Sequence, residues 1–211
     1  MKLSEKFGQL YDDEWTDAFE VLKGKKMSVK DAIQFLLDIL QRCVAFCAKL
    51  RDTQMDSLKN VLLHPSQDVS MFLSEPRKHG QKDRPRMSSK DEKATLALRR
   101  QICMQENILD EVKQVFVKET KSSDKTGYNK KHLELCTPYL HKCAEICWSM
   151  VIHDPPLYIK FDAKAGDKLD LNFYTVYAST GEKIDFLVWP PLFNEEKGAL
   201  LSKGVAEPLK K

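Results

Sequence analysis

Long apolar runs are missing from this 211-residue chain. Its longest stretch without Asp, Glu, Lys or Arg, residues 171–181, is 11 residues long. A membrane-spanning helix needs about 20, so no transmembrane segment is expected. The first residues offer no apolar signal-peptide core either, because Lys2, Glu5, Lys6, Asp12 and Asp13 interrupt them. A chain without a secretion signal is the expectation. Charge of one sign is scarce: 34 basic residues stand against 31 acidic ones, a net +3. That balance is too small to imply a nucleic-acid partner.

Catalytic signatures are absent as well. No GxxxxGK[ST] loop, no GxGxxG after a strand, no GxSxG and no HExxH occurs. The five histidines are scattered. His153-Asp154 stands before two prolines and reads as a polar helix end rather than an acid–base pair. The expectation is a chain that is not an enzyme, with no catalytic residues and no cofactor. Tyr11-Asp12-Asp13-Glu14 lacks the spacing and the glycine of a calcium loop and reads as an acidic helix face.

What is present is core material. Ten Phe, six Tyr and three Trp accompany a 42% apolar content, which excludes general disorder. Residues 5–22 carry Phe7, Leu10, Tyr11, Trp15, Ala18, Phe19 and Leu22 at helical spacing, with an acidic outer face. Gly24 is expected to supply the left-handed stop. Ser28 and Asp31 resemble a variant capping box. A long helix should follow, with Val29, Ile33, Leu36, Leu40, Cys43, Cys47 and Leu50 on its seam, touched from several sides as the central helix of a bundle.

Periodicity fades over residues 65–90, where Pro76, Gly80, Pro85, Ser88 and Ser89 break the chain. A helix over residues 91–121 should bury Leu98, Ile102, Leu109, Val112 and Phe116. A polar loop follows over residues 118–129, and Thr137-Pro138 opens the last helix. Asp154-Pro155-Pro156 closes that helix.

Beyond Pro156 the period becomes two. Leu157, Ile159 and Phe161 form one alternating set, Leu171, Phe173, Thr175 and Tyr177 a second, and Ile184, Phe186 and Val188 a third. Ser179-Thr180-Gly181 would turn the second strand back onto the third. The fold class is therefore α+β: a predominantly helical bundle with a small C-terminal three-stranded antiparallel sheet. One domain over residues 1–211 is expected, helical through residue 152 and β-rich over 153–211. Trp189-Pro190-Pro191-Leu192-Phe193 reads as a core plug after the last strand, with an exposed partner anchor as the alternative.

Six cysteines lie at positions 43, 47, 103, 136, 143 and 147, none in CxxC spacing. Reduced, buried thiols are the expectation. Cys43/Cys47 and Cys143/Cys147 each place two sulfurs on one helical face, so a four-thiolate zinc site is the sharper alternative. No metal site is expected. Charge is unevenly spread: residues 77–90 hold Arg77, Lys78, Lys82, Arg84, Arg86 and Lys90 against Asp83 alone. These six, on an exposed loop, are the candidate lipid- or anion-binding residues, with Lys203 as a further candidate. A solvated linker is the plainer reading of the same run.

Three stretches together resemble a known family. They are Leu10-Tyr11-Asp12-Asp13-Glu14-Trp15-Thr16-Asp17-Ala18-Phe19; Ile146-Cys147-Trp148-Ser149-Met150 running on to Asp154-Pro155-Pro156; and residues 185–193 (DFLVWPPLF) with residues 198–206 (GALLSKGVA). The combination is similar to the C-terminal domain of the mitochondria-eating protein family over nearly the whole chain. That resemblance implies a non-enzymatic role in mitochondrial quality control. It also implies binding to cardiolipin-containing anionic membrane surfaces and a cytoplasmic location with association to mitochondria, at the outer membrane or in the matrix. Family members carry coiled coils before this domain, and none is visible in this chain. No binding residue transfers by motif. A protein-interaction scaffold using an apolar groove, with no lipid recognition, is the competing reading.

Overall fold

The computed structural model describes residues 2–63, 86–122 and 129–209. The opening amphipathic segment is one continuous helical rod in three parts: α1 (Leu3–Leu10), a π-helical turn (Tyr11–Trp15) and α2 (Thr16–Gly24). Its apolar face buries Phe7, Leu10, Trp15, Ala18, Phe19 and Leu22. The π turn leaves the Tyr11 carbonyl with a side-chain partner, since Thr16 Oγ1 donates to it at 3.0 Å. The stop differs from expectation. Gly24 is the last helical residue, and Lys26 takes the left-handed conformation with φ 67°. Lys26 N–H donates to Lys23 O and Met27 N–H to Leu22 O, the paired bonds of a Schellman stop. That pattern demands the left-handed residue two positions after Gly24.

α3 (Val29–Leu63) starts where Ser28 caps it: Asp31 N–H donates to Ser28 Oγ at 3.1 Å. At 35 residues it extends well past the expected seam, about 50 Å at 1.5 Å per residue. All of its buried residues, Ala32 to Cys47, lie before Ala48. Its second half runs beside α4 (Ser89–Cys103), joined to it by Lys59–Glu92 and by Gln54 with Cys103. The helix expected over residues 91–121 is two helices, α4 and α5 (Glu106–Ser122), separated at Met104-Gln105.

α5 buries Val112 and Phe116 as expected, with Leu109 half-buried. Leu98 and Ile102 on α4 are exposed instead, and Arg99 and Cys103 take the inward face. Residues 95–98 are apolar or small around most of the helix, so spacing alone leaves the phase of α4 undetermined.

A short α6 (Lys130–Leu135) abuts α7 (Thr137–Val151). α7 begins where Thr137-Pro138 was expected to open it, but the cap position is Cys136, with no side-chain cap bond. Thr137 Oγ1 turns back to Glu134 O at 2.7 Å, because α6 leaves no extended residue for a side-chain cap. Ten of the 15 residues of α7 are buried. It packs against α1, α3, α5, α6 and the π turn, and so shares the centre of the bundle with α3.

The chain turns to strands after α7: β1 (Tyr158–Ile159), β2 (Tyr174–Val176), β3 (Ile184–Trp189), β4 (Leu192–Phe193), β5 (Leu200–Ser202) and β6 (Gly204–Pro208). The α+β class holds, with a three-stranded antiparallel sheet in the order β1-β4-β5. A second sheet, β2-β6-β3, was not foreseen. The hairpin expected through Ser179-Thr180-Gly181 does not pair its own arms. β6 lies between them, parallel to β2 and antiparallel to β3.

Its small residues explain the insertion. Gly204 passes so close to Trp189 O and Pro191 that a Cβ would stand 2.6 Å and 2.7 Å from them. In the second alternating set the buried residue is Tyr174, whereas Leu171 and Phe173 are exposed. The main buried cluster runs from Phe7 to Leu192, joining helices and strands. A smaller one gathers Leu37, Leu169, Tyr174, Ile184, Leu187 and Ala206.

Candidate functional site

The end of the α3–α4 hairpin carries two of the three sequence candidates that the structure describes, Arg86 and Lys90. Lys59 Nζ pairs Glu92 Oε1 at 2.5 Å, so the last turns of α3 and the first turn of α4 are neighbours. Ser88 caps α4 through Asp91 N–H at 3.2 Å, and the acids Asp91 and Glu92 suit the positive helix start. Arg86, just before the cap, is exposed. Lys90 is exposed too, but it sits in the first turn of α4 and not on a loop. The Ser88 cap converts the serine pair from a breaker into a helix start. Arg77, Lys78, Lys82 and Arg84 lie outside the described residues.

Spacing did not single out the apolar residues at the same end. Val61 and Leu62, in the last turn of α3, are 53% and 58% exposed. A helix whose partner covers one face only leaves such residues in water, and the apolar pair in the final turn was the available signal.

Lys203 stands elsewhere, between β5 and β6. It is exposed, and its Nζ donates to Leu171 O at 2.7 Å. Lys160 lies nearby, its ammonium 5.8 Å from the Phe173 ring centre, and Phe173 in turn packs on Phe193. Nothing in these contacts brings Lys203 to the α3–α4 end.

Other sequence candidates resolve into core. Trp189-Pro190-Pro191-Leu192-Phe193 is buried throughout. Trp189 packs on Phe7 at 4.7 Å and Tyr11 at 5.2 Å between ring centres, which makes it the plug between rod and strands. All six cysteines are buried and free of disulfides. The two thiol pairs do meet between α3 and α7, where the Cys43 thiol is influenced by those of Cys147 and Cys47. Burial first, and these contacts second, push the Cys43 thiol well above its usual range. Burial also drives the Cys143 thiol and the Tyr139 hydroxyl upward. Tyr139 donates to Leu36 O at 3.1 Å. Such groups keep their protons at neutral pH. Among the described residues no group of three or more His, Cys, Asp or Glu is placed to hold a metal ion, and no helix is long and apolar enough to cross a membrane.

The family model described as mitochondria-eating protein matches residues 1–208. No curated protein and no solved structure matches the chain.

Proposed function

The chain belongs to the mitochondria-eating protein family, and from that premise we propose that it is a non-enzymatic module that binds anionic, cardiolipin-type membrane surfaces. Membership places it in mitochondrial quality control and in association with mitochondria. The surface-binding step is our reading of the α3–α4 end. One observation carries it: Val61 and Leu62 stand exposed in the last turn of α3, directly before the segment that holds the basic run. Apolar side chains enter the boundary between headgroups and acyl chains, and basic ones hold the headgroups. Each Lys or Arg near an anionic surface contributes about 1 kcal/mol, screened over a Debye length of about 8 Å at physiological salt. Several such contacts with two inserted side chains sum to useful affinity.

Vesicle flotation tests the reading. Wild type should float with cardiolipin-containing vesicles far better than with neutral ones, and less so as salt rises. Replacing Arg77, Lys78, Lys82, Arg84 and Arg86 together by serine should reduce binding at least about tenfold at low salt and flatten the salt dependence. Val61→Ser with Leu62→Ser should weaken binding at every salt concentration. Unchanged binding and an unchanged salt slope in the basic variant would sink the idea.

A protein-interaction scaffold is the second reading, favoured by Leu98 and Ile102. They stand one turn apart on α4, 58% and 44% exposed. Equal recovery with neutral and cardiolipin vesicles would favour it.

A further inference from the structure

Where α4 ends, a groove opens between its flank and the turn that follows α7. Trp148 Nε1, on α7, donates to Cys103 O at 3.1 Å and docks the last turn of α4 against α7. The turn beyond α7 is pinned in its own right. His153 N–H and Leu157 N–H both donate to Met150 O, at 3.3 Å and 3.1 Å, and His153 Nδ1 lies 2.8 Å from Pro155 O. Asp154 sits inside that turn, so the backbone fixes its place beside α4.

The groove has a volume of about 340 Å³ and is lined by Leu96, Ala97, Arg100, Gln101, Met104 and Asp154. Leu96 is half-buried and the other five are exposed, which leaves the groove open to water. Leu96, Arg100 and Met104 stand four residues apart, and Ala97 and Gln101 repeat that step beside them. Five lining residues therefore share one helical face. Arg100 is about 6 Å along the helix axis from an apolar residue on either side. Leu98 and Ile102 line no part of the groove. Among the described residues neither Arg100 nor Asp154 is held in an ion pair, with each other or elsewhere.

Size, charge and lining select the ligand. Pockets for small ligands run about 300–1,000 Å³, so this one suits a small molecule and not a partner helix. Its two opposite charges cancel: a simple anion would meet Asp154 and a simple cation Arg100, whereas a zwitterion satisfies both. No aromatic ring lines the groove, so a quaternary ammonium finds no cage. A primary ammonium can instead hydrogen-bond the Asp154 carboxylate. Apolar residues one turn from Arg100 call for an apolar arm that branches next to the charges.

We propose that this groove binds an aliphatic α-amino acid as its zwitterion, with the carboxylate on Arg100, the ammonium on Asp154 and the side chain along Leu96, Ala97 and Met104. Arginine suits the task because its planar fork offers two parallel hydrogen bonds to a carboxylate. The site lies at the opposite end of α4 from Ser88 and Lys90. It stands or falls independently of the membrane surface proposed above.

Titration of the whole chain with L-leucine or L-methionine, followed by amide NMR at slightly acidic pH and fixed ionic strength, tests it. The Gln101, Met104 and Asp154 amides should move along a saturating curve. N-acetyl-leucine lacks the ammonium, leucine amide the carboxylate and glycine the apolar arm. Each should bind at least about fivefold more weakly than leucine. Arg100→Gln and Asp154→Asn, both at exposed positions, should each raise the leucine dissociation constant at least about fivefold. Ala97→Phe should fill the groove and abolish the shifts.

No saturating shift with either amino acid, or equal shifts in wild type and both charge variants, overturns the proposal. Tighter binding of O-phosphoethanolamine than of leucine also overturns it, because the groove would then read a phosphate headgroup.

Discussion

Lys26 shows how much one backbone angle can decide. Its φ of 67° lies in the left-handed region, where a side chain crowds the carbonyl and costs about 1–2 kcal/mol. Glycine would remove that cost while adding about 0.5–1 kcal/mol of unfolded-state entropy. Lys26→Gly should therefore stabilise the chain by about 0.5–1 kcal/mol, read as a higher urea midpoint with an unchanged m-value. A lower midpoint would mean that the lysine side chain holds the turn. Glu207 is another residue whose role lies in its bonds. Its carboxylate is buried and accepts from Ala178 N–H at 2.9 Å and Ser179 N–H at 3.4 Å. It anchors the loop that leaves β2, the loop that sequence alone presents as a hairpin turn.

Among the elements, β6 decides the sheet architecture. Among the described residues it is the only strand paired with β2 or with β3, and its first residue is Gly204. A Cβ there would overlap backbone at Trp189 and the ring of Pro191, neither of which swings aside. Gly204→Ala should cost about 2–3 kcal/mol, the scale of an overpacked core, and lower Tm by about 4–10 °C. The same change at Gly8, inside α1 with nothing within 4 Å of a Cβ, should instead stabilise by up to about 1 kcal/mol. Equal effects at the two glycines would contradict this account of β6. Over α3, one helix does two jobs. Residues up to Cys47 fill the core, and the rest form an arm with α4 that leaves Val61 and Leu62 in water.

Across the whole molecule, buried acidic protons link stability to alkaline pH. Burial pushes Cys136, Tyr11 and Tyr174 up to about 12. Cys43, Cys143 and Tyr139 are driven up for the same first reason. In the unfolded chain these groups lose their protons near pH 9–10, while the folded chain retains them. The native state then holds more protons, so stability falls as pH rises. Each group removes up to about 1.4 kcal/mol per pH unit across that window. Urea titrations should show little change in this contribution between pH 7 and 8, then a decline above about pH 9 that steepens past 10. A constant or rising stability from pH 9 to 10.5 would contradict the burial of these groups.

Much of this arrangement is local and therefore legible in the chain. The amphipathic stripe of residues 5–22, the Ser28 cap, the start of α7 at Thr137-Pro138 and the change of period after Pro156 rest on neighbours within a few residues. So does the burial of Trp189 to Phe193, since five successive apolar or proline residues leave little polar surface to expose. The basic run was legible as composition, and Lys90 shows its limit, because a serine cap two residues earlier made it helical. What only tertiary structure decided depends on distant partners. Period-two patterning cannot say that β6, nearly thirty residues after β2, takes the place between β2 and β3. Helical spacing cannot say which face of α4 its neighbours will cover, and so Arg99 went inside while Leu98 and Ile102 stayed out. A strand's partner and a helix's covered face are chosen by fit against remote side chains, and no local period records that choice.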